Sequence, residues 1–323
     1  MKPMTAVAAL GLALGMMASA SAQTITTDTF GSGANTFSLQ FNTVGNPGNA
    51  AQSASNRSHN FSDGDGRGSV PYTYRMSTYA ISQNNITTAT AAGMTNVTAG
   101  AHTGDRPAAD ITWYEAAAYV NWLNTSQGHQ AAYDLNFTTS WSMTLWSSAD
   151  AWQLGGENLY RHKDAYYFLP SDNEWYKAAY YDPTTTNYYL YATGSDTAPT
   201  AVSSGTAAGS AVYNGQPGPA DVDLSGDLSP YGTMGQSGNV WEWAESAWEG
   251  TNNISSEARA IRGGFWSNPE SALRSSTPSA NLPTDELVTI GFRVASVPEP
   301  SGALLMMMGL GALLLRRRAN RSL

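Results

Sequence analysis

The sequence predicts a single α+β domain with little regular secondary structure. Three observations carry this expectation: short stretches alternate apolar and polar residues as half-buried strands do, two segments open with complete helix-capping signatures, and a long Gly/Ala/Thr/Ser/Pro-rich segment after them has no periodicity at all. The chain has 323 residues and no cysteine, so stability must come from a hydrophobic core, assisted by a metal if one binds.

At the start, Lys2 precedes an apolar stretch from Ala6 to Ala18, followed by Ala20-Ser21-Ala22, the small-residue pattern that a signal peptidase cuts. Residues 1–22 therefore read as a signal peptide and the mature chain begins near Gln23. From Thr24 to about Ile81 the pattern is one of short strands and Gly/Asn/Ser loops. Phe37, Leu39 and Phe41 alternate with polar residues, and Val70 to Met76 continues the pattern. The Thr-rich stretch Ser82 to Met94 follows, and by propensity it makes a poor helix.

Trp113 to Asn124 is the best helix. Thr112 caps it and Glu115 completes a capping box, while Trp113, Ala116, Ala117, Val120 and Leu123 share one face. A second box opens with Ser171 and Glu174 after Leu169-Pro170, turns Trp175, Ala178 and Ala179 inward, and ends at Asp182-Pro183. Both segments read as ordinary amphipathic helices without a site. Tyrosines crowd the region from Tyr160 to Tyr191, with Trp141, Trp146 and Trp152 just before it. Most are expected in the core, and any left exposed would form a platform for peptides or sugars. Thr193 to Pro230 is the aperiodic segment.

Few residues offer catalytic chemistry. The four histidines, His59, His102, His129 and His162, lack metal-ligand spacing, and most of them are expected to face solvent from loops. No Gly-x-Ser-x-Gly elbow activates a serine. Asp172 with Glu174 has the composition of an acid–base pair, but the helix cap already accounts for both. Asp221-Val222-Asp223-Leu224-Ser225-Gly226-Asp227 places side-chain oxygens at alternating positions, like the first half of a calcium loop. Gly232 stands where the closing glutamate belongs, so Asp221, Asp223 and Asp227 read either as calcium ligands or as a solvated acidic turn.

Three blocks remain: Gly238-Asn239-Val240-Trp241-Glu242-Trp243, Arg262-Gly263-Gly264, and Gly291-Phe292-Arg293-Val294-Ala295. In that order they resemble the formylglycine-generating, or sulfatase-modifying factor, family, and the two capped helices are similar to that family's helices. The resemblance covers roughly Val70 to Ser296 of an expected domain at 23–296. It implies a C-type-lectin-like fold with long loops. It also implies an oxidase that uses a cysteine pair to hold copper and react with oxygen. Here Asn268 and Leu273 stand near the cysteine positions, and neither supplies a thiolate, so copper is not expected. Family enzymes bind calcium near the Gly-Asn-x-Trp-Glu-Trp segment. By that resemblance Asn239, Glu242 and the Val240 carbonyl are candidate Ca2+ ligands. In the alternative, Asn239 braces a turn while Trp241 and Trp243 fill the core.

At the C-terminus Val297-Pro298-Glu299-Pro300 precedes an apolar run from Ala303 to Leu315 closed by Arg316-Arg317-Arg318. This resembles the bacterial PEP-CTERM sorting tail (297–323), and the resemblance implies processing by an exosortase. The run spans roughly 20 Å, short of a roughly 30 Å hydrocarbon core, with its arginines on the cytoplasmic side. An ordinary uncut membrane anchor fits the same residues. Either way the folded part lies outside the cytoplasm, at the envelope or in an extracellular matrix. The formal charge is −9 and charged residues are 13% of the chain, with no basic cluster in the body. That composition argues against nucleic acid and anionic lipid as partners. The expected function is noncatalytic recognition of polysaccharide or peptide, or structural work. The competing expectations are a metal-dependent oxidoreductase with replaced ligands and a passive matrix protein.

Overall fold

Phe30, Phe41 and Val44 are fully buried, and they explain why the chain begins with a hairpin. Strands Ile25–Ser32 and Asn35–Val44 pair antiparallel with Phe30 opposite Phe37, and the alternation read at Phe37, Leu39 and Phe41 is the side of the hairpin that packs inward. The computed structural model describes residues 24–98 and 100–297. The expected signal peptide, the sorting residues Pro298, Glu299 and Pro300, and Arg316, Arg317 and Arg318 lie outside the described residues; Val297 lies within them. Among the described residues no helix is long and apolar enough to cross a membrane.

Two sheets organise the molecule, as the α+β reading expects. The first has five strands in the spatial order Ile25–Ser32, Asn35–Val44, Tyr74–Ser77, Ala295–Ser296, Tyr167–Phe168, all antiparallel. Residues far apart in sequence thus close one sheet, and Arg75 ties it across by donating to Ser296 Oγ at 2.9 Å and pairing with Asp28 at 2.7 Å. The second sheet runs Ser279–Asn281, Arg259–Arg262, Trp241–Ala247, Ile290–Phe292, the last pair parallel.

Among the described residues three helices pack on this frame. Helix α1, Gln83–Ala91, is a correction to the propensity reading of Ser82 to Met94. Ser82 caps it in a full capping box with Asn85, and Ile86 and Ala89 are buried, so tertiary burial and the cap outweigh the threonines. Thr87 and Thr90 turn their hydroxyls back onto the carbonyls of Gln83 and Ile86. Helices α2, Trp113–Ser126, and α3, Asp172–Tyr180, carry the expected boxes, and their expected inward residues are buried.

The segment from Thr193 to Pro230 folds back on itself through short elements. Strands Thr200–Ala201 and Ser210–Ala211 form a parallel pair, and one 3-10 turn covers Val222–Leu224. Ala211 and Tyr213 join Leu190, Tyr191 and Leu273 in a second, small core. The glycines of the two central blocks are needed where backbones meet. Gly238 has φ 86°, and a Cβ there would lie 2.3 Å from the Val212 carbonyl oxygen; a Cβ on Gly264 would press on Leu273 at 3.0 Å.

Candidate ligand cleft

The N-terminal turn of α3, the loop before the strand Tyr74–Ser77, the loop 153–157 and the segment after Trp241–Ala247 enclose a cleft of about 520 Å³. That volume lies within the roughly 300–1,000 Å³ usual for ligand sites. Its apolar side is made by Tyr72, Trp152, Leu154 and Trp248. The rings of Tyr72 and Trp152 meet edge to face at 5.4 Å, and Leu154 and Trp248 are 56% and 40% exposed. Its polar side is made by Arg67, Asp172, Asn173, Asn158 and Asn252.

Two ion networks hold this floor in place. Asp172, the first residue of α3, receives Arg262 at 2.6 Å and Arg67 at 2.9 Å. Burial works against its ionisation, but the two guanidiniums hold its carboxyl below the usual range. Beneath it, buried Arg161 pairs with Glu174 at 2.9 Å and Glu245 at 2.6 Å and lies over the Phe168 ring at 3.7 Å. Tyr72 donates to Glu174 at 2.5 Å, and Tyr133 and Asn158 donate to Glu245 at 2.8 and 2.5 Å. Burial opposes the ionisation of Glu174 as well, yet Arg161 keeps its pKa low. Glu245 is raised, because burial and the neighbouring Glu174 outweigh Arg161. The acid–base reading of Asp172 with Glu174 thus gives way: each is bound to a different arginine.

The candidate calcium residues do not come together. Asp227 accepts from Gly209 N–H at 2.7 Å and from Leu228 N–H at 2.8 Å, Asp221 precedes the 3-10 turn, and Asp223 lies on it. Asn239, at φ 64°, accepts from Ala220 N–H at 2.9 Å and donates back to its carbonyl at 3.4 Å. Val240 is buried at 1% exposure. Glu242 binds Arg293 through both oxygens at 2.5 and 2.7 Å and accepts from Trp175 Nε1 at 2.6 Å. Among the described residues no group of three or more His, Asp or Glu side chains converges. In this arrangement the side-chain oxygens of Asn239 and Glu242 are engaged by protein donors.

Other sequence expectations are placed differently. None of the histidines faces solvent freely: His162 is buried, and the other three are half-buried. His129 stacks on Tyr166 at 4.6 Å and His102 meets Trp266 at 5.7 Å. Aromatic density around them explains this burial. His59 Nε2 lies 3.3 Å from Ser275 Oγ, but Phe61 N–H points at its Nδ1 at 3.3 Å, which puts the ring proton on Nε2 and denies Ser275 a base. The tyrosines from Tyr160 to Tyr191 are buried except Tyr189, which is half-buried, so they form core. Asn268 braces a turn by accepting from Phe265 N–H at 3.0 Å, and Leu273 is fully buried. Sequence reasoning missed Arg67, Asn173, Ser246 and Trp248, which carry no motif and meet only in three dimensions.

Residues 49–297 match the sulfatase-modifying factor enzyme 1-like domain, a longer stretch than the resemblance from Val70. The chain has no match among curated proteins. It is similar in structure to Treponema denticola variable protein 1 at 17% identity and TM-score 0.56, covering 84% of this chain and 99% of that one. It is also similar to PvdO from Pseudomonas aeruginosa at 15% identity and TM-score 0.52, covering 84% and 98%. CarF aligns at 16% identity and TM-score 0.50, covering 70% and 87%. At these identities the likeness is one of fold. With the domain match it bears out the C-type-lectin-like class.

Proposed function

The chain belongs to the sulfatase-modifying factor enzyme 1-like family, and on that premise we propose that it is an exported, noncatalytic member that binds a ligand at the cell envelope or in a polysaccharide matrix. One observation carries the noncatalytic part. Where the family resemblance calls for a reactive cysteine pair, this chain has Asn268 committed to a turn and Leu273 sealed in the small core. Neither side chain takes part in redox chemistry, and neither offers a soft ligand for copper. The cleft supports the binding part, since its aromatic side and amide-rich floor have the composition of a recognition site.

Export and location belong to the same proposal. The N-terminal apolar stretch and the Pro298-Glu299-Pro300 tail support a route through the inner membrane, with the tail held there until an exosortase-type enzyme processes it.

The full chain incubated with a sulfatase-derived cysteine peptide, copper and oxygen is expected to give no formylglycine by mass spectrometry; turnover would overturn the proposal. Membrane and extracellular fractions of expressing cells are expected to hold the protein, and recovery from the cytoplasm alone would overturn the location. Glycan and peptide arrays separate recognition from a passive matrix role, which gives no saturable binding.

A further inference from the structure

We propose that the cleft between Trp248 and Asn173 binds a neutral, polyhydroxylated ligand, a short stretch of glycan, with its sugar face on the aromatic wall and its hydroxyls on the polar floor. This rests on the reading of the chain as a noncatalytic recognition protein and names the ligand class of that site.

Hydrogen-bond accounting on the floor supports it. Arg67 spends Nε on Asp172 and Nη1 on the Asp63 carbonyl, both at 2.9 Å, and its Nη2 has no acceptor among the described residues. Asn173 accepts from Gly68 N–H at 2.9 Å through Oδ1, leaving Nδ2 without a partner among the described residues. Ser246 Oγ accepts from Asp172 N–H at 3.0 Å, and its own proton has no acceptor among the described residues. Trp248 Nε1 has no acceptor among the described residues either, although Trp152 Nε1 is satisfied by the Leu154 carbonyl at 2.9 Å. Several unused donors thus border one cleft, with the exposed Glu157 carboxylate as an acceptor at the rim. A ligand that fits must bring many oxygens.

Charge decides between oxygen-rich classes. Arg67, Arg262 and Asp172 leave one positive charge in excess, and Arg161 with Glu174 and Glu245 leaves one negative charge in excess. These cancel, Asp65 at the rim is neutralised by Arg57, and Glu157 adds a negative charge, so no field selects a phosphate or sulfate. Sugars bring hydroxyls without charge and an apolar C–H face, which suits Tyr72, Trp152 and Trp248. A peptide commonly pairs its backbone with an open strand edge. Of the strands of the four-stranded sheet that reach the cleft, Arg259–Arg262 has neighbours on both sides, and Ala247, at the cleft end of Trp241–Ala247, pairs with Arg259 and gives its N–H to Asn252 Oδ1 at 2.8 Å.

The test titrates the full chain with neutral oligosaccharides of glucose, galactose, mannose and N-acetylglucosamine, followed by tryptophan fluorescence and calorimetry. At least one is expected to bind saturably. Trp248→Ala is expected to weaken it about tenfold and Asn173→Ala by several-fold. Both residues are exposed, so the melting temperature should hold; a variant that loses it is replaced by Trp248→Leu, which keeps apolar bulk without a ring, or Asn173→Asp, which keeps the acceptor for Gly68 N–H and removes the donor, and the same loss of affinity is expected. Absence of binding, or binding that Trp248→Ala leaves unchanged, overturns the assignment. Saturable binding of a peptide alone overturns it too but leaves the recognition reading standing, whereas oxidation of a cysteine peptide defeats that reading whatever the sugars do.

Discussion

Lys177 is a residue whose environment sets a measurable pH dependence. It lies fully buried on α3 and donates only to the Asn46 carbonyl at 2.8 Å, and no carboxylate pairs with it among the described residues. Desolvation lowers its pKa from 10.5 to about 7. Between these values the unfolded chain binds a proton that the folded chain does not. Stability therefore rises with pH, and the gain is lost as pH falls toward 7. The slope is at most about 1.4 kcal/mol per pH unit. Urea unfolding at pH 7, 8 and 9, below the range where unfolded tyrosines ionise, is expected to show this rise, and Lys177→Met is expected to flatten it without lowering stability at pH 7. A slope that survives the substitution assigns the effect elsewhere. Glu242 is the second case. It neutralises Arg293, which is fully buried, so Glu242→Gln strands a cation and is expected to cost about 3–5 kcal/mol in denaturant melts. Were Glu242 a calcium ligand instead, the wild-type melting temperature would respond to chelator and the variant's would not.

At the scale of elements, the helices were legible because their signals are local. Thr112 with Glu115 and Ser171 with Glu174 announce a helix start within four residues, and the structure contains both reciprocal caps. Thr112→Ala and Ser171→Ala are each expected to lose about 1 kcal/mol, read from the denaturation midpoint. Ser171→Ala carries a second expectation, because the first turn of α3 also presents Asp172 and Asn173 to the cleft: ligand affinity should fall with it, and it should be untouched by Thr112→Ala. Helix α1 was misjudged for the complementary reason. Threonine propensity is local, but burial of Ile86 and Ala89 depends on partners from the opening hairpin and the rest of the core. Strand pairing was hidden in the same way. Ala295–Ser296 lies between strands more than a hundred residues upstream, which no window along the chain reveals.

For the whole molecule, the three central blocks gave the family because each secures a junction: Gly238 passes Val212, Gly264 passes Leu273, and Arg293 locks Glu242 between the two sheets. The cleft was not legible, since Arg67, Asn173, Ser246 and Trp248 serve no junction and are gathered only by folding. A framework and a site are thus separable, and the separation makes a final prediction. If only sulfur were lacking, Asn268→Cys with Leu273→Cys would restore oxygen chemistry. The packing argues otherwise. Leu273 has no exposure and sits among Leu190, Tyr191, Ala211 and Tyr213, against Gly264. A thiol there is held protonated by its apolar surroundings and out of reach of a peptide. Meanwhile the loss of Asn268 Oδ1 leaves Phe265 N–H without its partner. The double variant is expected to melt lower, with a loss of about 1–3 kcal/mol, and to give no formylglycine from a cysteine peptide with copper and oxygen. Turnover by that variant would show that the loop opens to present position 273, and that only the two substitutions separate this chain from an oxidase.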